Sequence, residues 1–230
     1  MMKNGKPILA ITMGDPAGIG PEIILQALSQ KETFEKCNPI VTGDAAVMEY
    51  VARQQGSRLC IHAVKDVDEA LFEPGTVDVF DLNLIDMNTF EQGKVAVQCG
   101  NAAFQSVIKA IELAMENEVD GTVTAPLNKE ALNLAGHHFD GHTEIYAHFT
   151  HTKKYAMLLA DEFLRVIHVS THVPLRKACD LVKKERIIDV TELITDACRQ
   201  FGIENPKIGI AGLNPHASDG GLFGDEERLE

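Results

Sequence analysis

Short apolar, β-branched runs alternate along the chain with longer stretches of helical periodicity. Pro7 to Met13, Pro39 to Thr42, Val77 to Leu82, Gly121 to Thr124, Tyr155 to Leu159, Leu164 to Ser170 and Lys207 to Ala211 read as strands. Between them, Phe104, Ile108, Ile111 and Met115 recur at helical spacing, as do Ile187, Val190, Ile194, Ala197 and Phe201. Such stripes are the core-facing sides of helices rather than cofactor boxes. This alternation predicts an α/β fold, a three-layer α/β/α sandwich on a largely parallel sheet. Pro21 opens a helix where a missing N–H costs nothing, and Gly202 stands just past the last helical stripe. With no repeat, low-complexity tract or linker, no internal domain boundary is expected. The final Gly-Leu-Phe-Gly-Asp-Glu-Glu-Arg-Leu-Glu reads as a loop turning into a helix with an acidic first turn. A chain that stops there is expected to be truncated.

Composition narrows the class of protein without naming a ligand. At 230 residues and 45% hydrophobic, the chain can bury a substantial core as one large domain or two small ones. Thirty-four acidic against 21 basic residues, a formal charge of −13, disfavour a phosphate-backbone binder. An anionic substrate would have to be captured by local donors against a repulsive average field. Cys37, Cys60, Cys99, Cys179 and Cys198 are an odd, scattered set without a C-x-x-C pair, so neither a zinc ribbon nor a disulfide framework is signalled. The apolar run before Gly14 is too short for a signal peptide or a membrane span. A cytoplasmic protein with no nucleic-acid or membrane partner is expected.

Five polar segments carry candidate chemistry. Gly14 to Glu22 (GDPAGIGPE) lies between a strand and a helix, where glycines permit a tight turn and helix N–H groups can face an anion. Its spacing matches neither the dinucleotide fingerprint nor the P-loop, and a structural βα turn fits as well as a ligand loop. Thr124 to Glu130 follows another strand; Asn128 fits a helix cap and Lys129 a solvated charge. Gly141-His142-Thr143-Glu144 offers an imidazole, a hydroxyl and a carboxylate to a substrate, although Thr143 also fits a helix N-cap. His148 and His151, spaced i, i+3, fit either a metal pair or an exposed helix face. In Val166 to Leu175, strict alternation places His168 inside the strand as a core histidine and His172 at its end as a ligand candidate. Gly212 to Gly221 mounts His216 on a loop of turn-formers, which fits a metal ligand or a bystander in a surface loop. Read as five segments following strands, they are expected to converge on one sheet edge, where α/β proteins bind ligands.

Taken together, ITMGDPAGIGPE from Ile11, TAPLNK from Thr124, GHTE from Gly141, THVPLR from Thr171 and GLNPHA from Gly212 resemble the 4-hydroxythreonine-4-phosphate dehydrogenase family of vitamin B6 biosynthesis. The likeness runs from Ile8 to about Glu227. It implies a fold like that of isocitrate and isopropylmalate dehydrogenases, and a homodimer with active sites at the subunit interface. It also implies NAD- or NADP-dependent oxidation of a secondary alcohol on a small phosphorylated hydroxy acid, 4-phosphooxy-L-threonine (4-hydroxythreonine 4-phosphate) in pyridoxal phosphate biosynthesis, followed by loss of carbon dioxide. The resemblance places His172 and His216 among three histidines that bind a divalent metal ion (Zn, Mg or Co), and His142 and Thr143 at substrate-binding positions. It places the third histidine in a Tyr-His-Asp-Gln-Gly type segment beyond residue 230. The chain is therefore expected to be the N-terminal two-thirds of a subunit. Ligating imidazoles must be neutral, so metal affinity is expected to fall in acid.

Three alternatives accompany this expectation. Within the family, D-threonate or D-erythronate 4-phosphate undergoes the same chemistry, and Tyr155 to Met157, Val166 to Ser170 and Gly221 to Gly224 lean that way. A phosphate acyltransferase on a related fold would need neither metal-binding histidines nor nicotinamide. A noncatalytic phosphate-ligand module would bind without turnover.

Overall fold

Apolar runs that must be buried on both faces make the centre of a parallel sheet. Here Ile8–Thr12 (β1) and Asn38–Gly43 (β2) fill that role: every residue of β2 is buried, and β1 alternates buried with half-buried positions. The computed structural model describes residues 5–229. It divides into two compact units, Met1–His151 and Thr152–Glu230.

In the first unit, β1 leads through the glycine-containing loop to Gly20–Leu28 (α1), Lys31–Lys36 (α2), β2 and Ala45–Gln54 (α3). There follow Cys60–Val64 (β3), Thr76–Asp81 (β4), Val97–Met115 (α4), Gly121–Thr124 (β5), Lys129–Leu134 (α5) and His142–Phe149 (α6). The sheet order is β3-β4-β2-β1-β5 with every pairing parallel. One face packs Met13, Val41, Val77 and Val79 against Ile24 and Leu25 of α1 and Val47, Met48 and Val51 of α3. The other packs Ile8, Ala10, Ile40 and Val64 against Ala110 and Leu113 of α4. Beyond α4, Phe104, Val107 and Ile111 bury Leu132 of α5 and Ile145 of α6. The unit is thus the expected three-layer sandwich.

Gly100 shows how tightly the outer layer is fitted. A Cβ there would fall well inside contact distance of the Ala131 carbonyl oxygen on α5, a backbone atom that cannot swing away. Gly100→Ala is therefore expected to cost about 3 kcal/mol through overpacking, outweighing the gain in helix propensity. Denaturant unfolding checks this, and a neutral or stabilised variant would show that α5 yields freely.

The second unit holds a hairpin, Leu158–Ala160 (β6) and Arg165–Ile167 (β7), then the helices Leu175–Leu181 (α7), Lys184–Gln200 (α8) and Glu226–Leu229 (α9). It departs from the sequence reading in three places. The runs from Tyr155 and Leu164 shrink to three-residue strands that pair antiparallel, closed by Asp161 N–H donating to the Leu164 carbonyl at 2.9 Å. A crossover to a parallel neighbour needs a dozen or more residues, and this connection has room only for a turn. Lys207 to Ala211 is not a strand; with no ladder partner among the described residues, its residues are exposed. His172 does not continue β7, which ends at Ile167, and it has φ 57° in an irregular segment. Conversely, β3 escaped the sequence reading because it is a half-exposed edge strand with His62 in its middle. Only pairing with β4, where His62 Nδ1 sits 2.7 Å from the buried Asp78 carboxylate, makes it regular.

Candidate active site

The C-terminal ends of β1 and β5 lie side by side, and their following loops interlock. Asp15 N–H donates to the Pro126 carbonyl at 2.9 Å, and Gly14, at φ 72°, sits where any Cβ would strike that same carbonyl. Ala17 N–H donates to Asp15 Oδ1 and Gly18 N–H to the Asp15 carbonyl, at 2.9 and 3.0 Å. These three amides are spent on the turn itself. Gly14 to Glu22 is therefore first a device for bringing two strand ends together. Burial pushes the Asp15 carboxyl up from its ordinary range, against the Ala17 N–H that holds it down. Burial, helped by the charge of Asp15, pushes the nearby Cys99 thiol up to about 11, which leaves it a packing residue rather than a nucleophile.

On the β5 side, Asn128 caps α5 by accepting from Ala131 N–H at 3.0 Å, and Lys129 is exposed, so the plain structural reading of that pair stands. The long loop after β4 reaches the first loop: Gly93 N–H donates to the Ala17 carbonyl at 2.8 Å, and Gln92 donates to Glu22 at 2.9 Å.

The GHTE segment follows α5 rather than a strand and opens α6. Its N-cap is Gly141, in extended conformation and without a side-chain cap, so Thr143 is not the cap and its hydroxyl is not committed to that task. His142 is the first helical residue. Burial depresses its imidazole below the usual histidine range, favouring the neutral form, and its Nε2 atom is buried without a partner among the described residues. A neutral imidazole presents one donor and one acceptor nitrogen, so it can hold a packing partner with one and a polar ligand with the other. The His148/His151 pair fails as a one-face metal site: α6 ends at Phe149, His151 lies past it at φ 54°, and His148 packs edge-on against Phe139.

Neighbouring His137 stacks on Phe104, with ring centroids 3.7 Å apart, and its Nε2 lies 3.1 Å from Asn101 Oδ1. Burial first, then the neighbouring His138, depresses it too. Both His137 and His142 are harder to protonate folded than unfolded, so the unfolded chain takes up more protons as pH falls below about 6.5. Stability from these neutral rings is complete above that value and is lost as pH falls through their depressed folded values. The urea midpoint is expected to fall between about pH 7.5 and 5.5, and His142→Gln to flatten part of the slope. Identical slopes for variant and wild type would remove His142 from the linkage.

In the second unit, His168 is not the core strand histidine expected: it lies just past the end of β7, half-buried, with Nδ1 3.3 Å from the Met157 carbonyl. His172 and His216 are both exposed. Each lies at strained backbone: His172 is itself in the left-handed region, and His216 precedes five consecutive residues of positive φ, Ala217 to Gly221. Non-glycine residues in that region cost about 1–3 kcal/mol each and cluster at functional sites. Two imidazoles are a partial donor set, since a catalytic ion ordinarily takes three protein ligands. Among the described residues no group of three or more His, Cys, Asp or Glu side chains is gathered to hold a metal ion. The expected convergence on one sheet edge therefore holds for the first two segments; the segments of His172 and His216 follow a separate hairpin and a non-strand run. No described helix is long and apolar enough to cross a membrane.

Comparison with known proteins places this architecture. The family model described as "Pyridoxal phosphate biosynthetic protein PdxA" matches residues 35–230. A Clostridium botulinum protein named "Putative D-threonate 4-phosphate dehydrogenase" is 44% identical over 226 residues, covering 98% of this chain and 68% of the relative. The crystal structure of 4-hydroxythreonine-4-phosphate dehydrogenase from Klebsiella pneumoniae aligns with a TM-score of 0.88 at 42% identity, covering 97% of this chain and 69% of that one. The Burkholderia phymatum enzyme of the same name aligns at 0.84 and 39%, covering 97% and 68%. Sequence and fold agree along almost the whole chain: it belongs to the PdxA family and is a dehydrogenase chain of the 4-hydroxythreonine 4-phosphate or D-threonate 4-phosphate type.

Proposed function

We propose that this chain serves a nicotinamide-dependent dehydrogenase that oxidises the C3 hydroxyl of a four-carbon acid phosphorylated at C4, with D-threonate 4-phosphate as the favoured substrate. The observation that carries the reading is His142 at the start of α6, with an imidazole that burial holds toward its neutral form, followed by a Thr143 hydroxyl not used as a cap. These two groups are proposed to hydrogen-bond the substrate. A bound nicotinamide would supply the acceptor for the C3 hydride; with the hydroxyl proton lost, the substrate becomes a 3-keto acid, which loses its carboxylate as carbon dioxide. The remaining enolate is then protonated at C2.

The D-threonate form takes its support from the 44% identical relative of that name. The names of the solved structures support 4-hydroxythreonine 4-phosphate, an intermediate of pyridoxal phosphate synthesis, as the second reading. The two substrates differ at C2, hydroxyl against amino. Steady-state assays with both acids, each with NAD and NADP, test the choice. A kcat/KM about 100-fold higher for D-threonate 4-phosphate, a difference of about 2.7 kcal/mol at the transition state, is expected. Equal values would sink the preference.

His172 and His216 are proposed as two donors to a divalent ion, completed by groups outside the described residues in a homodimer. Such an ion supplies Lewis-acid polarisation of the hydroxyl and carboxylate oxygens. The left-handed backbone of His172 and the strained turn that follows His216 support a ligand-holding role, because strain persists where the surrounding structure over-determines it.

A further inference from the structure

Three of the buried polar side-chain atoms without a partner among the described residues belong to the first unit: Thr12 Oγ1, His142 Nε2 and Tyr146 Oη. They share one side of the sheet. The register pairs Ala10 with Thr122 and Thr12 with Thr124, so Thr12, Thr122 and Thr124 point to a common face. That is the α4 face, because Thr42, paired with Thr12 on the other flank, donates from Oγ1 to the Ser106 carbonyl of α4 at 2.9 Å. Thr12 is fully buried.

On α6, His142 and Tyr146 are one turn apart and flank Ile145, which is fully buried against α4 and α5. The Tyr146 hydroxyl lies near the Thr122 side chain but makes no hydrogen bond of good geometry. Leaving such atoms unsatisfied costs about 1–3 kcal/mol each, and folded proteins leave few. Burial depresses His142 and pushes Tyr146 up, so both rings stay uncharged through the neutral range. Their complement is then a neutral bridge rather than a counter-ion, and a buried water needs two to four polar partners of this kind.

We propose that Tyr146 is a positioning residue for His142: its hydroxyl holds, through a buried water, the Nε2 atom of the imidazole one helical turn away. The phenol donates to the water and the water donates to Nε2. Nε2 is thereby fixed as an acceptor, so the ring proton resides on Nδ1, which is left as the donor toward a ligand. The inference rests on the reading of His142 as a substrate-binding residue only for its kinetic consequence; the tautomer is independent of it.

Tyr146→Phe removes a single oxygen and retains the ring in the core, and loss of an unsatisfied hydroxyl does not threaten folding. In enzyme carrying 15N-labelled histidine, with the His142 signals assigned by difference from His142→Gln, the wild type is expected to show Nδ1 protonated and Nε2 unprotonated. Tyr146→Phe is expected to show a mixture of both tautomers. In parallel, KM for the phosphorylated hydroxy acid is expected to rise about tenfold in Tyr146→Phe, with kcat within about twofold, the loss of one hydrogen-bonded link in binding. Unchanged imidazole signals in Tyr146→Phe, or a wild type with the proton on Nε2, would overturn the proposal. A changed tautomer with an unchanged KM would uphold the coupling of Tyr146 to His142 and refute His142 as a substrate contact.

Discussion

Replacing Asp44 with alanine is expected to lower the unfolding free energy by about 4 kcal/mol, more than any surface change in the chain. The carboxylate is 1% exposed and accepts from four backbone amides. Oδ1 caps α3 through Ala46 and Val47 N–H at 3.1 and 3.2 Å, and Oδ2 receives Leu84 and Ile85 N–H at 2.8 and 2.9 Å. Loss of the cap costs about 1 kcal/mol, and two further buried donors left without a partner cost about 1–3 kcal/mol each. The melting temperature should drop by roughly 10 °C for a chain of this size. Asp44→Asn, which keeps one acceptor oxygen, should lose about half as much. The same tether fixes the start of the long loop whose Gly93 and Gln92 reach the glycine-containing loop and α1, so activity should fall together with stability. A loss below about 1 kcal/mol for the alanine variant would mean that water replaces the carboxylate at these amides.

His172→Ala and His216→Ala should each reduce dehydrogenase kcat/KM by about 100-fold or more in the assembled enzyme, corresponding to about 2.7 kcal/mol of lost transition-state stabilisation. Bound divalent metal, measured after gel filtration, should fall in parallel. Thermal stability should change little, because both side chains are exposed and neither fills the core. Retention of both metal and activity in the two variants would refute the metal role and reopen the acyltransferase reading. Loss of activity with metal content unchanged would instead make these histidines direct substrate contacts. The acid side of the metal-binding curve adds a third reading, since a ligating imidazole must shed its proton and affinity should decline as pH falls.

Much of the first unit was legible in the residues because burial on both faces of a parallel strand demands a continuous apolar run. Val77, Val79, Val41 and Ile40 leave little choice of structure. Pro21, Asn128 and the stripe through Phe104 and Ile111 likewise state helix starts and a core-facing side in local chemistry alone. The GHTE and histidine-bearing segments were visible as motifs, and their resemblance to a family agreed with the fold and the relatives.

What tertiary structure decided was where pairing and accounting reach beyond a local window. β3 is a strand because β4 supplies its ladder and Asp78 its histidine partner, whereas Lys207 to Ala211, with a more strand-like sequence, lacks a ladder among the described residues. A hydrogen-bonded neighbour, not β-propensity, settles such cases. The amides of Asp15, Ala17 and Gly18 lie in a loop that could have faced an anion, and only the fold shows them spent on Asp15 and Pro126. Likewise, the sequence named His142 and Thr143, but the cap at Gly141, the neutral imidazole and the nearby Tyr146 emerge only when helices pack on a sheet and exclude water. Local sequence thus determined the elements and the reactive groups of this protein. Tertiary packing decided which backbone and side-chain polar groups remain unspent, because a hydrogen bond made anywhere in the fold removes its atoms from the chemistry available to a ligand.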